Sequence, residues 1–216
     1  MGLTALVFGG TGLTGKQLIS QLQTEEKIEV IKVFNRRKVD YHASKVQEII
    51  LDYDALEQYA TAIKGDLLFC CIGTTRKKTP NDDAYKAIDY GIPTRLSALA
   101  KQNHIPTFAV ISSIGANQDS RFFYNRIKGE MERDVLKQNL PNTYIFRPSV
   151  LVGPRTEKRF AERASAALMN VLHLVFKDLI LKYKPVDTAL LAKKMIQVSL
   201  NGYDKNIIES DEIQRL

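Results

Sequence analysis

Cysteine is scarce in this chain of 216 residues, and the two present, Cys70 and Cys71, are neighbours. Adjacent cysteines are poorly placed for an ordinary disulfide, which excludes a disulfide-stapled fold. On a strand they point to opposite faces, as two buried small apolar side chains. Histidine is sparse as well. His42, His104 and His173 are scattered without ligand spacing, so no metal site is expected. No apolar run approaches the roughly 20 residues of a membrane-spanning helix. The opening "MGLTALVFGG" lacks the basic segment and cleavage site of a secretory signal. The expectation is a cytoplasmic protein with no membrane contact. Repeats, low-complexity tracts and Gly/Ser-rich linkers are missing too, so residues 1–216 read as a single domain. Zinc-finger spacing and RNA-binding strand motifs are also absent. The net charge of +7 is therefore not read as a nucleic-acid footprint, and an anionic cofactor would account for part of it. The basic run Arg76–Lys78 reads as a solvated loop.

What is present is an alternation. "TALVFG", "IEVIKVFN", "VQEIIL", "DLLFCCIG", "TFAVISS" and "NTYIFRP" read as strands, and "DLLFCCIG" is apolar throughout, as a strand buried on both faces would be. Between them "GKQLISQLQ", "ALEQYATAI", "AYKAIDYGIPTRLSALAKQN" and "FFYNRIKGEMERDVLKQN" read as helices. Gly91 and Pro93 predict a kink or break in the third of these. Strand alternating with helix implies an α/β fold, a doubly wound parallel sheet with helices on both faces. From about Ser149 the rhythm fades, and two helical stretches, "KRFAERASAALMNVLHLVF" and "DTALLAKKMIQVSL", remain. Residues 149–216 are expected to form a small helical cap on the substrate side.

The turn after the first strand is "GGTGLTG". A glycine-rich turn between strand and helix lets backbone approach a pyrophosphate, while the helix N-terminus offers free N–H groups and a positive dipole end. Gly10, Gly12 and Gly15 fit one spacing of such loops, and Gly9, Gly12 and Gly15 fit another. The candidate dinucleotide contacts here are Gly9, Thr11, Gly12, Leu13, Thr14 and Gly15. At the end of the second strand, where an acidic residue would bind a ribose 2′-hydroxyl, the chain has Asn35, Arg36 and Arg37. Two guanidiniums suit a 2′-phosphate, so NADP(H) is expected over NAD(H), unless both arginines are merely solvated. Asp52, with Tyr53 beside it, either reaches an adenine amino group or caps the following helix. Cys71, Gly73 and Thr74 end the fourth strand, and Gly73 would let the chain pass close to the cofactor.

Tyr124 and Lys128 stand four apart on a predicted helix and share a face. An ammonium beside a phenol favours phenolate, and a tyrosine so tuned exchanges protons with a hydroxyl or carbonyl oxygen. Tyr41 and Lys45 repeat the spacing, so spacing alone carries nothing. Position separates the pairs. Tyr124 follows the fifth strand, whose carboxyl end carries Ser112 and Ser113 and is where ligands of such sheets bind. Ser113 either holds the reacting oxygen or caps the strand end.

Taken in order, "GGTGLTG", "ISS", "YNRIK", "FRPSVLVGP" and "KPVDTA" resemble the short-chain dehydrogenase/reductase superfamily in its atypical branch. "FNRRK", "LFCCIGTT", "ISSIGA", "FFYNRIKGEME" and "FRPSVLVGPR" are similar to the Tat-interacting oxidoreductase-like proteins and their bacterial relatives. The resemblance implies a Rossmann fold binding NADPH, with Ser113, Tyr124 and Lys128 as catalytic residues. It also implies Lys128 on the nicotinamide ribose and Pro148 lining the nicotinamide pocket. The C-terminal part is short beside that of extended relatives. The expected activity is NADPH-dependent reduction or oxidation of a small carbonyl or alcohol compound. The alternatives are a redox sensor that binds NADPH and a protein partner without turnover, and an epimerase or isomerase using the same residues.

Overall fold

The structure, a computed structural model, describes residues 2–153 and 181–215. Its centre is β1 (Leu3–Phe8), an apolar strand whose side chains alternate between two separate cores. Ala5 and Val7 enter one core, and Leu6 and Phe8 enter the other. The same alternation runs through β4 (Leu67–Cys70), β5 (Thr107–Ile111) and β6 (Asn142–Arg147). Period-two side chains that are apolar on both faces require a sheet covered on both sides. With β2 (Ile28–Asn35), β3 (Val46–Ile50) and β9 (Ile207–Glu209), these strands form a seven-stranded sheet in the order β3-β2-β1-β4-β5-β6-β9. Every pairing is parallel. The order reverses between β1 and β4, which opens a crevice at the carboxyl ends of the two strands. This is the Rossmann-type sheet expected above.

One face is covered by α1 (Leu13–Thr24) and α5 (Thr188–Asn201). Thr14, Gly15, Leu18, Ile19 and Leu22 give α1 a buried stripe at helical spacing. Gln21 Nε2 ties it to α5 through the Ala189 carbonyl at 2.9 Å. The other face is covered by α3 (Ile92–Gln102) and α4 (Phe123–Leu136). On that side the Phe8 and Phe34 rings stack with centroids 4.3 Å apart.

Three expectations change. The predicted break at Gly91 and Pro93 is instead a continuous helical run. α2 (Asp82–Lys86) passes through a π turn at Ala87–Gly91 directly into α3. The Ile92 amide reaches back to the Ala87 carbonyl, and Thr94 Oγ1 donates to the Tyr90 and Gly91 carbonyls, so the run passes Pro93 without a break, through the π turn. The predicted helix after β3 shrinks to a 3₁₀ turn, Leu56–Tyr59. The cap expected over 149–216 is narrowed, because the described part of it belongs to the main body. Strand β9 pairs with β6, and α5 lies on α1 with its apolar stripe in the sheet's own core. The short ladder β7 (Leu151–Val152) with β8 (Val186–Asp187) leads into α5, and α6 (Ser210–Arg215) closes the chain. The stretch "KRFAERASAALMNVLHLVF" lies outside the described residues. Among the described residues, no helix is long and apolar enough to cross a membrane.

Candidate functional site

The loop from β1 to α1 folds around one carbonyl. Gly9 has φ +85, and a side chain there would come within 2.7 Å of the Cys71 carbonyl group. Its own carbonyl accepts from the Gly12 amide at 3.0 Å. A Cβ at Gly15 would land on that same oxygen. Of the two sequence spacings, the turn is thus built on Gly9, Gly12 and Gly15. Gly10 is crowded separately, by the Ile19 and Val33 side chains and the Tyr41 hydroxyl. Thr11 and Leu13 are exposed and Thr14 is buried. Helix α1 begins without a capping side chain and without an acidic residue in its first turn. Its leading N–H groups therefore face outward at a positive dipole end, a donor set that suits a pyrophosphate.

Across the switch point, Arg36 and Arg37 follow β2 and are exposed, with no carboxylate partner among the described residues. Asn35 is 3% exposed and braces the turn instead of facing out. Its Nδ2 donates to the Tyr41 hydroxyl at 2.9 Å and to Glu48 Oε1 at 2.7 Å, and the same carboxylate oxygen accepts from the Val39 amide. The Asn35 amide nitrogen is thus committed within the protein. Lys45 donates to the Glu25 carbonyl, so Tyr41 and Lys45 do not form a pair like that on α4. Asp52 is exposed and folds back on its own turn, accepting from the Asp54 amide at 3.0 Å, while the 3₁₀ turn that follows starts after Ala55 without a side-chain cap. Tyr53 is 9% exposed, with its ring packed in the core and its hydroxyl donating to the Phe34 carbonyl at the end of β2. Burial pushes its phenol well above the ordinary range.

The other half of the site gathers where β4, β5 and α4 meet. Cys70 and Cys71 point into opposite cores as free thiols, Cys70 fully buried and Cys71 half-buried. Lys128 is 3% exposed. Its ammonium reaches Asp89 Oδ1 at 3.0 Å and the Ile111 carbonyl, the last of β5, at 3.4 Å. Burial alone would lower its pKa, but the facing Asp89 carboxylate, with Tyr124 adding to it, more than offsets this and holds it above the ordinary lysine value. Asp89 sits in the π turn, 1% exposed, and its second oxygen accepts from the Thr74 amide at 2.8 Å. One carboxylate therefore links the loop after β4 to the lysine of α4. Sequence reasoning missed it. The signal was Asp89 at core spacing with Tyr85, Ile92 and Leu96, where a charge demands a buried partner.

Tyr124 lies one turn before Lys128, is 39% exposed, and meets the Tyr85 ring edge-on at 6.4 Å. Ser113 follows β5, half-buried, with its hydroxyl engaged only by the Ile114 carbonyl at 3.4 Å. Ser112 turns the other way and donates to Glu132 at 2.5 Å inside the protein. Glu132 in turn accepts both Arg147 bonds, at 2.9 and 2.5 Å, and Arg147 also reaches Glu209. This buried network, also missed from sequence, leaves Ser113 as the serine facing the cleft. Pro148 is buried beside it, its carbonyl accepting from the Ile114 amide at 3.0 Å. Gly73 is exposed, and a side chain there would meet only Asp89 Oδ1, at 3.6 Å. The basic run is not simply solvated, because the Arg76 guanidinium lies over the Phe123 and Tyr85 rings.

The sequence model of the NAD(P)H-binding family matches residues 9–166, which include the glycine turn and the residues around Tyr124. The chain belongs to the NAD(P)H-binding family. Within that family it stands in the atypical short-chain dehydrogenase/reductase branch. Rattus norvegicus Protein HTATIP2 is 32% identical over 74% of this chain and 67% of its own length. The Candida glabrata "Protein FMP52, mitochondrial" is 30% identical over 94% of this chain and 88% of its own. Among solved structures, MoeE5 in complex with UDP-glucose and NAD matches with a TM-score of 0.67 at 16% identity, covering 94% of this chain and 74% of that one. At that identity the likeness shows the fold alone. Several relatives carry "mitochondrial" in their names, which overturns the cytoplasmic expectation. Composition carries no address that separates one aqueous compartment from another.

Proposed function

We propose that this NAD(P)H-binding protein is an NADPH-dependent oxidoreductase acting on a small carbonyl or alcohol compound. The observation that carries the proposal is the buried Lys128, held by Asp89 one helical turn from an exposed Tyr124 at the carboxyl end of β5. A buried ammonium is costly to maintain and suits a site where it orders a ligand and a phenol. The Gly9–Gly15 turn and the start of α1 would hold the pyrophosphate, Arg36 and Arg37 the 2′-phosphate, and Lys128 the nicotinamide ribose. Gly73, which the fold itself does not require, would leave space beside the cofactor. Thr74 and Pro148 would border the nicotinamide end.

When bound, the cofactor supplies the hydride that adds to the carbonyl carbon. The protein's own residues manage the oxygen. Ser113 donates a hydrogen bond to it and fixes its direction. Tyr124 passes it the phenolic proton, and the nearby Lys128 charge eases the transient loss of that proton. Because Tyr124 is exposed, water can return the proton.

Tyr124→Phe tests the assignment. Turnover with NADPH across a carbonyl panel should fall by about 10²–10⁴-fold, with NADPH affinity unchanged by fluorescence titration. Full turnover in the variant would defeat it. NADPH binding by the wild type with no oxidation across the panel would instead identify a binding module.

A further inference from the structure

The rim beside Tyr124 is cationic and partly pre-built. Arg76, in the loop between β4 and α2, places its guanidinium 4.2 Å from the Phe123 ring centroid and 5.0 Å from that of Tyr85. Phe123 precedes Tyr124, and the Tyr85 ring under the guanidinium meets the rings of both Phe123 and Tyr124 edge-on. Arg126 flanks Phe123 from a second direction at 5.9 Å. A guanidinium stacked on aromatic faces is held in one orientation with its edge free to bond. Arg76 spends part of that edge on the Pro80 carbonyl and on Asp82, in the first turn of α2. Lys77, Lys78 and Arg121 are exposed around it, with no side-chain acceptor among the described residues. Asp83 and Asp119 are the unpaired carboxylates nearby in sequence, so cations are in excess.

The segment is also mechanically coupled to the catalytic side. The Thr74 carbonyl accepts from the Tyr85 hydroxyl, and the Thr74 amide binds the carboxylate that holds Lys128. A core-packing role would need neither the exposed lysines nor a charge at the mouth.

We propose that Arg76, supported by Lys77 and Lys78, forms the anion subsite for the substrate, so that the reacting carbonyl or alcohol compound carries a carboxylate or phosphate group. Asp82 occupies the guanidinium until that group arrives. The inference rests on the oxidoreductase reading for the position of the reacting carbon, but the anion subsite is tested by binding alone.

The probes are benzaldehyde, 4-carboxybenzaldehyde and 4-formylphenyl phosphate. Each is titrated calorimetrically into protein saturated with NADP⁺, which permits no reduction of the aldehyde. At least one anionic probe should bind about tenfold or more tightly than benzaldehyde, a difference of ~1.4 kcal/mol. Comparing the two anionic probes separates carboxylate from phosphate. Arg76→Gln should remove the preference without changing benzaldehyde binding. Asp82→Asn should strengthen it by freeing the guanidinium. Lys77→Ala with Lys78→Ala, two exposed positions, should weaken it with no effect on folding. Equal affinity for all three probes, or a preference that survives Arg76→Gln, overturns the subsite. Failure to bind NADP⁺ defeats the cofactor reading instead, and the same probes titrated into free protein then decide the subsite by the same comparison.

Discussion

Replacing Asp89 with asparagine should cost this protein more than any exposed charge change, and the cost should shrink with rising pH. The side chains of Lys128 and Asp89 are 4% and 2% exposed, with 3.0 Å between the charged atoms. At that separation and an effective dielectric near 20, the attraction is roughly 5–6 kcal/mol. Much of it offsets the desolvation of the two groups, so the pair contributes little net stability. Removing one member is a different matter, because the other stays buried without its counter-charge. The expected loss for Asp89→Asn at pH 7 is about 3–5 kcal/mol. At roughly 2–4 °C per kcal/mol for a chain of this size, melting should drop by about 6–20 °C. If the asparagine oxygen keeps the Thr74 bond, its NH2 faces Lys128, so the variant removes both the counter-charge and the ammonium's acceptor while keeping the side chain's shape.

The pH dependence follows from linkage. In the wild type the Lys128 pKa is raised on folding, so its stabilising effect is complete below the unfolded lysine value and disappears only as pH climbs through the higher folded value. In the variant, burial pushes the ammonium down with no Asp89 carboxylate to oppose it. Between its lowered folded pKa and the unfolded value of about 10.4, the unfolded chain binds more protons, so the variant gains stability as pH rises. Melting curves of both proteins at pH 7 and pH 9.5 should show the gap closing. Shared pH effects cancel in the difference. A loss under about 1 kcal/mol, typical of an exposed pair, or a gap that does not change with pH, would refute the buried-pair reasoning.

Gly15→Ala places a methyl group on the Gly9 carbonyl and should displace the turn, weakening dinucleotide binding by at least about tenfold in calorimetry. Binding at wild-type strength would mean that the turn yields freely. Arg36→Ala with Arg37→Ala should weaken NADP(H) by about 10–100-fold, from the loss of charge-assisted bonds to the 2′-phosphate, and leave NAD(H) nearly unchanged. Equal losses for both cofactors would defeat the NADP(H) preference.

The sheet was legible because both-face burial writes a continuous apolar run at β4, "DLLFCCIG", and because β-branched and aromatic residues mark β2, "IEVIKVFN". The glycine turn was legible for a steric reason, since Gly9 and Gly15 each stand where a Cβ collides with backbone. What escaped was buried charge. Core spacing hinted that Asp89 is buried, but the partners of Asp89, Glu132 and Arg147 lie on other elements and only the fold identifies them. Tyr53 shows the same limit, because the Phe34 carbonyl that takes its hydroxyl is 19 residues away and no local pattern marks it. The end of the chain misled because β9 is only three residues long, too short for periodicity to separate from a loop.

On α4, Tyr124, Lys128 and Glu132 recur every fourth residue and lie on one stripe. Below Tyr124 that stripe is tied twice, Lys128 to the π turn and the end of β5, and Glu132 to Ser112 and Arg147. Apolar side chains tolerate small rotations of a helix, whereas paired charges in fixed geometry do not. On this reasoning the second tie is expected to fix where the helix presents Tyr124. Glu132→Leu with Arg147→Met and Ser112→Ala, the last so that no buried hydroxyl loses its acceptor, separates fixing from stability. An apolar pair of similar volume often matches a buried ion pair in stability, so melting should stay within a few degrees and dinucleotide binding should persist. Turnover should fall, and a ¹⁹F signal from fluorotyrosine at position 124, identified by its loss in Tyr124→Phe, should broaden. If turnover and the ¹⁹F line both survive, the network only fills space. If both change while the melt does not, the buried Glu132–Arg147 pair is what orients Tyr124.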